Sequence, residues 1–214
     1  MRERKIMIYN SDHEEAEETG EEEEAEETEE EAEEEESTLL GLCSDINEES
    51  MKEIALSLLT LNGGQLLHEN PDAIGGTKDI EFFISSNGGA VSDMFTIYDL
   101  MELVKRNRDI ATFGYGRIAS AAVPLLAFGT PGKRHISKHA RIMLHHCSSE
   151  VGGTHPAIRS NFAELKKVEA MMIEALAENS NVSVGEYYNI FSKNTDEYFS
   201  AEEALEMGLV DKII

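Results

Sequence analysis

With 214 residues, 41% of them hydrophobic, the chain is long enough to fill one globular domain, and the case for two is weak. Its net charge of −25 argues against nucleic acid as a partner, because nucleic-acid sites need clustered Lys and Arg. No apolar stretch reaches the length of a membrane helix or of a signal peptide, so the sequence predicts no membrane partner.

The first segment in chain order is strongly acidic. From Asp12 to Glu36 it carries eighteen acidic residues and no Lys or Arg, which leaves a net charge of −7 for the rest of the chain. Such a segment cannot bury enough apolar surface to offset chain entropy, and its like charges repel one another. We therefore predict a disordered acidic tail over residues 1–36 and one folded domain over residues 37–214.

Helical and strand patterns alternate through the rest of the chain. Helical spacing of apolar residues predicts helices at 47–62, 91–107, 119–129, 156–179, 187–191 and 201–207. Short apolar runs bounded by turn residues predict strands at 79–86, 109–114, 134–137, 140–146 and 209–214. Repeated strand, crossover helix and strand predict an α/β fold with a mostly parallel sheet.

Three polar residues could carry nucleophilic chemistry. Ser120 lies between a predicted strand and a predicted helix, a position that exposes a side chain. A serine needs a base, which His145 at the end of a strand could supply, and an imidazole needs a carboxylate such as Asp196. A serine at a helix start is usually a cap, however, and a single histidine is more often a core or surface residue. Spacing alone does not select these three residues.

Three blocks of sequence are more specific when they are taken together: "SSNGGAVSDMFTIYDLM", "GRIASAAVPLLAFGTPGKRHISKHARIMLHH" and "DEYFSAEEALEMGLVDKII". The first resembles an S-P-G-G turn followed by an amphipathic helix. The second resembles a G-x-x-A-S nucleophile segment with a later R-x-M-x-H strand, and the third a D-x-x-x-S-A-x-E-A run that ends in G-L-V-D. In this order the blocks resemble the proteolytic subunit of the Clp protease, the ClpP family, from about residue 50 to the end of the sequence.

The resemblance implies a serine endopeptidase with a crotonase-like α/β fold. By that resemblance Ser120 is the nucleophile, His145 the general base and Asp196 the acid that orients it. The backbone N–H groups of Gly89 and Ala121 would form the oxyanion hole, which stabilises the charge on an attacked carbonyl. No metal and no cofactor are implied.

The resemblance also implies an assembly. The chain would form heptameric rings, two of which stack face to face around a chamber, with the helix at 156–179 as the handle at their contact. Peptides or unfolded proteins would be the substrates, fed by a Clp-type AAA+ ATPase. ATP would belong to that partner, because this chain has no phosphate-binding loop.

Several positions depart from the family pattern. These are Ala121 and Ala122 in place of Met-Gly, Asn87 in place of Pro, His146 and Cys147 in place of Gln-Pro, and Asn194 and Thr195 in place of an acid-Arg pair that bridges the rings. The loop at 64–78 is longer than usual, and residues 1–45 do not resemble the family's N-terminal segment. We expect a changed wall of the substrate cleft and a weaker contact between rings.

Other functions and the cellular setting follow from the same residues. The alternatives are a catalytically silent ring subunit, an acyl-CoA enzyme on the same core and a phage protease that processes virion proteins.

Cys43 and Cys147 are too few for a disulfide framework, and no C-x-x-C pair suggests zinc. A reducing, cytoplasmic setting is therefore predicted.

Overall fold

The computed structural model describes residues 38–63, 78–150 and 152–214. The predicted tail at 1–36 and nearly all of the loop at 64–78 lie outside these ranges. The helices are α1 (Glu48–Leu61), α2 (Val91–Lys105), α3 (Ala122–Ala127), α4 (His155–Glu178), α5 (Val184–Phe191) and α6 (Ala201–Glu206). The strands are β1 (Leu39–Leu42), β2 (Ile80–Ser86), β3 (Ile110–Ala119), β4 (Arg134–Ile136), β5 (Arg141–Leu144), β6 (Glu197–Phe199) and β7 (Lys212–Ile213).

The predicted α/β fold with a mostly parallel sheet is confirmed. Strands β1, β2, β3, β4 and β7 follow one another across the sheet, and all these neighbours are parallel. Strands β1, β2 and β3 lie side by side in chain order, and α1 and α2 connect them. Because connections between parallel strands are right-handed, both helices cover the same face of the sheet. Alternate residues of β2, namely Ile80, Phe82 and Ile84, are fully buried in the core beneath these helices.

Strand β3 pairs with two different strands along its length. Its first half, Thr112–Gly114, pairs with β4, and its last three residues, Arg117–Ala119, pair with β5. Between the halves lies a β-bulge. The segment of β3 from Gly114 to Ile118 lies opposite a shorter segment of β2, from Ile84 to Ser86. The bulge bends β3 so that its end meets β5 rather than β4.

The bulge also explains a difference from the sequence prediction. The sequence predicts that the strand ends at Gly114 and that the following helix begins at Ala119. Instead Gly116, at φ 61°, occupies the bulge and the strand continues to Ala119. The helix is correspondingly short, from Ala122 to Ala127.

Strand β6 is the antiparallel member of the sheet and was not predicted. It has three residues, Glu197–Phe199, and it pairs with β5 so that Leu144 lies opposite Glu197. The residues that follow Leu144 and precede Glu197 are thereby brought to the same place, at the end of the sheet where β3 also ends.

The long helix α4 is buried only in its second half. Met172, Ile173 and Leu176 are fully buried in the core. In the first half, Ile158 is 42% exposed and Phe162 is 55% exposed, although both lie on the apolar stripe of the helix. The first half of α4 therefore presents an apolar face that the described part of the chain does not cover.

Among residues 38–63, 78–150 and 152–214, no helix combines the length and the apolar character needed to cross a bilayer.

Candidate functional site

Ser120 lies immediately after β3, two residues before α3. Its backbone N–H donates to the carbonyl of Met143 at 2.8 Å, and its own carbonyl accepts from the N–H of Val123 at 3.0 Å. With φ at 53°, it is the only non-glycine residue at positive φ in the described ranges. Such a conformation is strained and concentrates at functional sites, and here it turns the chain sharply at the end of β3.

The predicted base lies beside this serine. His145 follows the last residue of β5, and β5 pairs with the end of β3. The Nε2 atom of His145 is 2.9 Å from the Oγ of Ser120, a hydrogen-bond distance. With its proton on Nδ1, the imidazole accepts the Ser120 hydroxyl proton on Nε2, which is the geometry of a nucleophile and its base.

Asp196 is brought to the other side of the imidazole. It lies one residue before β6, so the register of Leu144 with Glu197 places it next to His145. Its Oδ1 atom is 3.4 Å from Nδ1 of His145, while its Oδ2 atom accepts from the Tyr198 hydroxyl at 3.2 Å. The structure thus brings together all three residues that were predicted to act as nucleophile, base and orienting acid.

A cleft of about 230 Å³ opens in front of Ser120. Ser120, His145 and Gly89 contribute to its wall, with Val91 of α2, Leu165 of α4 and the segment after β5. The cleft is partly apolar, and its wall comes from elements on both sides of the serine. Both predicted catalytic side chains, Ser120 and His145, line this cleft.

The turn after β2 is packed directly against the serine. A Cβ atom on Gly88, which has φ 87°, would lie 2.5 Å from the carbonyl oxygen of Ala119 and 2.9 Å from the backbone nitrogen of Ala121. A Cβ on Gly89 would overlap the backbone of Ile46. Only glycine fits at either position, which is the physical reason for the "NGG" sequence.

Two backbone N–H groups, one on Gly89 at the cleft and one on Ala121 directly after Ser120, have no acceptor within the described part of the chain. Gly89 is flanked by hydrogen bonds that Ile46 makes with Gly88 and Ala90, so its own N–H points away from Ile46. The N–H of Ala121 likewise has no acceptor there, although the residue is fully buried. Buried N–H groups are almost always paired, so an unpaired one beside a nucleophile suits an acceptor carried by a ligand.

Several of the residues that depart from the family pattern lie at or near this site. His146 is exposed, with its ring centroid 6.3 Å from that of His145, and it does not bond to Ser120. Asn194 and Thr195 are exposed, and the Thr195 hydroxyl donates to Glu197. Burial, and to a smaller extent the charge of Glu169, raises the pKa of the Cys147 thiol to about 11, so this thiol is neutral at pH 7.

Two polar residues at the site were not predicted from the sequence. One is Tyr198, whose hydroxyl donates to Asp196, and the other is Glu169, whose Oε2 accepts from the N–H of Cys147 at 2.8 Å. No motif marks either residue. Within the described ranges, no group of three or more His, Cys, Asp or Glu residues is arranged to hold a metal ion.

Comparison with known proteins gives a consistent family. A family profile described as Clp protease matches residues 22–214, a longer stretch than the three blocks and one that begins inside the acidic run. The ATP-dependent Clp protease proteolytic subunit 2 of Bifidobacterium longum is 38% identical over 137 residues, 64% of each chain. Subunit 2 of Corynebacterium efficiens is 35% identical over 82% of this chain and 81% of its own. Subunit 1 of Corynebacterium jeikeium is 35% identical over 82% of this chain and 86% of its own.

Proposed function

The chain belongs to the Clp protease family, and on this premise we propose that it is a serine endopeptidase subunit with Ser120, His145 and Asp196 as its triad. The observation that carries the proposal is the 2.9 Å contact between Nε2 of His145 and Oγ of Ser120 at the wall of the cleft. A hydroxyl that already shares its proton with an imidazole is poised for nucleophilic attack.

The proposed reaction is acyl transfer in two stages. The Ser120 hydroxyl attacks a peptide carbonyl while His145 takes its proton, and His145 then returns that proton to the leaving amine. Water next attacks the acyl-enzyme with His145 again as the base, which frees Ser120. The carboxylate of Asp196 holds the imidazole in the correct tautomer and stabilises its positive charge.

The carbonyl oxygen becomes an oxyanion in both stages. The N–H groups of Gly89 and Ala121 are proposed as its donors, a role supported by their lack of an acceptor within the described ranges. Because backbone donors are fixed before the reaction, they stabilise the developing charge without reorganisation. The change from the family's Met to Ala121 leaves this donor in place, since the donor is a backbone group.

A fluorophosphonate probe tests the triad, because it reacts with serines that a base has activated. We expect labelling at Ser120 in the wild-type protein and none in Ser120→Ala. Ser92→Ala, which alters an exposed serine on α2, is the control and should label like the wild type. An unlabelled wild type would favour a silent ring subunit or an acyl-CoA enzyme instead.

The proposal includes self-assembly into heptameric rings that stack in pairs. It is supported by the exposed apolar side chains of Ile158 and Phe162 on α4, which a second copy of the chain could cover. In sedimentation, Phe162→Asp should shift the protein to smaller assemblies, whereas Ser160→Asp on the same half of α4 should not. Asn194 and Thr195 stand where the family has an acid-Arg pair, so pairs of rings should dissociate readily when the protein is diluted.

The proposed substrates are peptides and unfolded proteins, with a Clp-type AAA+ ATPase as the partner for folded ones. The proposed setting is the reducing cytoplasm, which the free thiols of Cys43 and Cys147 support. Hydrolysis of short peptides and of casein, with and without a Clp ATPase and ATP, tests these assignments. Peptide hydrolysis should need no ATP, and casein hydrolysis should rise when the ATPase is added.

A further inference from the structure

The segment that carries His145 is weakly held after β5 ends at Leu144. Residues 145–150 form no helix or strand, yet they include the imidazole at Ser120 and two further residues that line the cleft. Among the N–H groups of residues 146–150, that of Cys147 is the only one with a hydrogen-bond acceptor in the described part of the chain. That acceptor is the carboxylate of Glu169, at 2.8 Å.

The bond joins two different parts of the fold. Cys147 lies two residues after His145, whereas Glu169 lies in the middle of α4, whose following turns are anchored in the core by Met172 and Leu176. Both Cys147 and Glu169 are half-buried, and a hydrogen bond to an ionised acceptor is stronger than one between neutral groups. Within this segment the Cys147 side chain packs against the core, whereas His146 and residues 148–150 are exposed.

We propose that Glu169 is a positioning residue, whose carboxylate holds the backbone of Cys147 and thereby keeps His145 within reach of Ser120. The proposal rests on the triad proposed above. Without the bond, residues 146–150 lose the one N–H hydrogen bond that they make within the described part of the chain, and the imidazole samples positions away from the serine. A displacement of about 1 Å in a catalytic group lowers a rate by up to about 100-fold.

Three variants of Glu169 show whether its effect comes from the hydrogen bond that it accepts or from its negative charge. Glu169→Ala removes both the acceptor and the charge, while Glu169→Gln keeps a carbonyl acceptor at the same reach without the charge. Glu169→Asp keeps the charge but shortens the side chain by one methylene, so it no longer reaches the Cys147 N–H. The control is Glu164→Ala, which alters an exposed residue of α4 that pairs only with Lys167 among the described residues.

The readouts are kcat and KM for a fluorogenic peptide and hydrogen exchange of the amides at 145–150. We expect Glu169→Ala and Glu169→Asp to lower kcat about tenfold, to change KM less, and to lose protection at the Cys147 amide. Glu169→Gln should recover most of the wild-type kcat and protection, and Glu164→Ala should match the wild type. Thermal unfolding shows whether each variant is folded, and Glu169→Gln and Glu169→Asp remain informative if Glu169→Ala is not.

Wild-type kcat in folded Glu169→Ala would overturn the proposal. The proposal would also be overturned if Glu169→Gln had as low a kcat as Glu169→Ala, because that result would assign the loss of rate to the missing charge. Failure of the proposed function is a separate result: the wild type would then neither hydrolyse peptide nor label at Ser120. The exchange measurement does not depend on activity, and an unchanged Cys147 amide in Glu169→Ala would overturn the anchor in that case too.

Discussion

Gly88 lies so close to Ser120 that no side chain fits between them. A Cβ on Gly88 would be 2.8 Å from the Cβ of Ser120, and Gly88 also has a positive φ of 87°. The turn after β2 and the end of β3 are therefore in direct backbone contact. The position of the proposed nucleophile depends on a residue that has no side chain.

The first prediction concerns this contact. Gly88→Ala should lower peptide hydrolysis by about 100-fold, because the methyl group must displace Ser120 or the Ala121 N–H. The matched control is Gly132→Ala, since Gly132 also has φ 87° but nothing within 4 Å of an added Cβ. That variant should cost about 1 kcal/mol of stability and leave activity unchanged. Equal activity in the two variants would contradict the prediction.

The second prediction distinguishes the neighbouring histidines. His145→Ala should reduce kcat by about 10⁴-fold, because Ser120 loses its base. His146→Ala should change kcat less than about threefold, since this exposed ring makes no hydrogen bond to Ser120. Steady-state kinetics on a fluorogenic peptide measures both. A reversed order would assign the base to His146 and refute the proposed triad.

The third prediction concerns the two thiols. Cys147 is half-buried, and burial raises its pKa to about 11, so only about one thiol in a thousand is ionised at pH 8. Cys43 is exposed. Iodoacetamide should therefore alkylate Cys43 first at pH 8, and labelling of Cys147 in a Cys43→Ser background should accelerate as the pH rises towards 11. Peptide mass spectrometry follows both sites, and equal rates at pH 8 would show that Cys147 is not held as described.

The fourth prediction concerns acid stability. Asp211 bonds to the guanidinium of Arg134, whose side chain is only 11% exposed and which also donates to the carbonyls of Asn179 and Gly208. Burial acts to raise the pKa of Asp211, but the hydrogen bonds from Arg134, together with its charge, outweigh burial and lower that pKa. A lowered folded-state pKa gives stability that is present above the unfolded value of about 3.9 and is lost as pH falls through the folded value.

Asp211→Asn should accordingly destabilise the protein by about 2 kcal/mol at pH 7, and the difference from wild type should shrink as pH falls below the unfolded value of about 3.9 and through the lowered folded-state pKa. The control is Asp79→Asn, which breaks an exposed pair with Lys133 and should cost much less stability than Asp211→Asn. Urea unfolding at several pH values measures both variants. If the stability difference between Asp211→Asn and wild type does not change with pH, the charge of Asp211 is not its cause.

Sequence periodicity predicted the longer helices and the longer buried strands β2 and β3, because their apolar residues recur over many positions. It missed β1 and β6, since such short runs show no clear period, and β6 is the strand that brings Asp196 to His145. It ended β3 at Gly114 because a glycine that forms a bulge and a glycine that ends a strand look alike in a sequence.

The proposed triad was not predictable from spacing, because its three residues come from distant segments. The family resemblance selected Ser120, His145 and Asp196, and the structure brings them together. The bond from Cys147 to Glu169 could not have been predicted, since it joins a backbone N–H to one of many glutamates on a helix. Periodicity also identified the apolar stripe of α4 without showing that half of it is exposed.

The late position of β6 along the chain has a consequence for biosynthesis. Strands β3 and β5 pair directly, so Ser120 and His145 can meet while the remainder of the protein is still being translated. Asp196 reaches the imidazole only after residues 197–199 have left the ribosome and paired with β5. A nascent chain therefore lacks the carboxylate whose absence costs serine peptidases about 10⁴-fold in rate. The proposed triad is therefore complete only in chains whose β6 has been translated and has paired with β5.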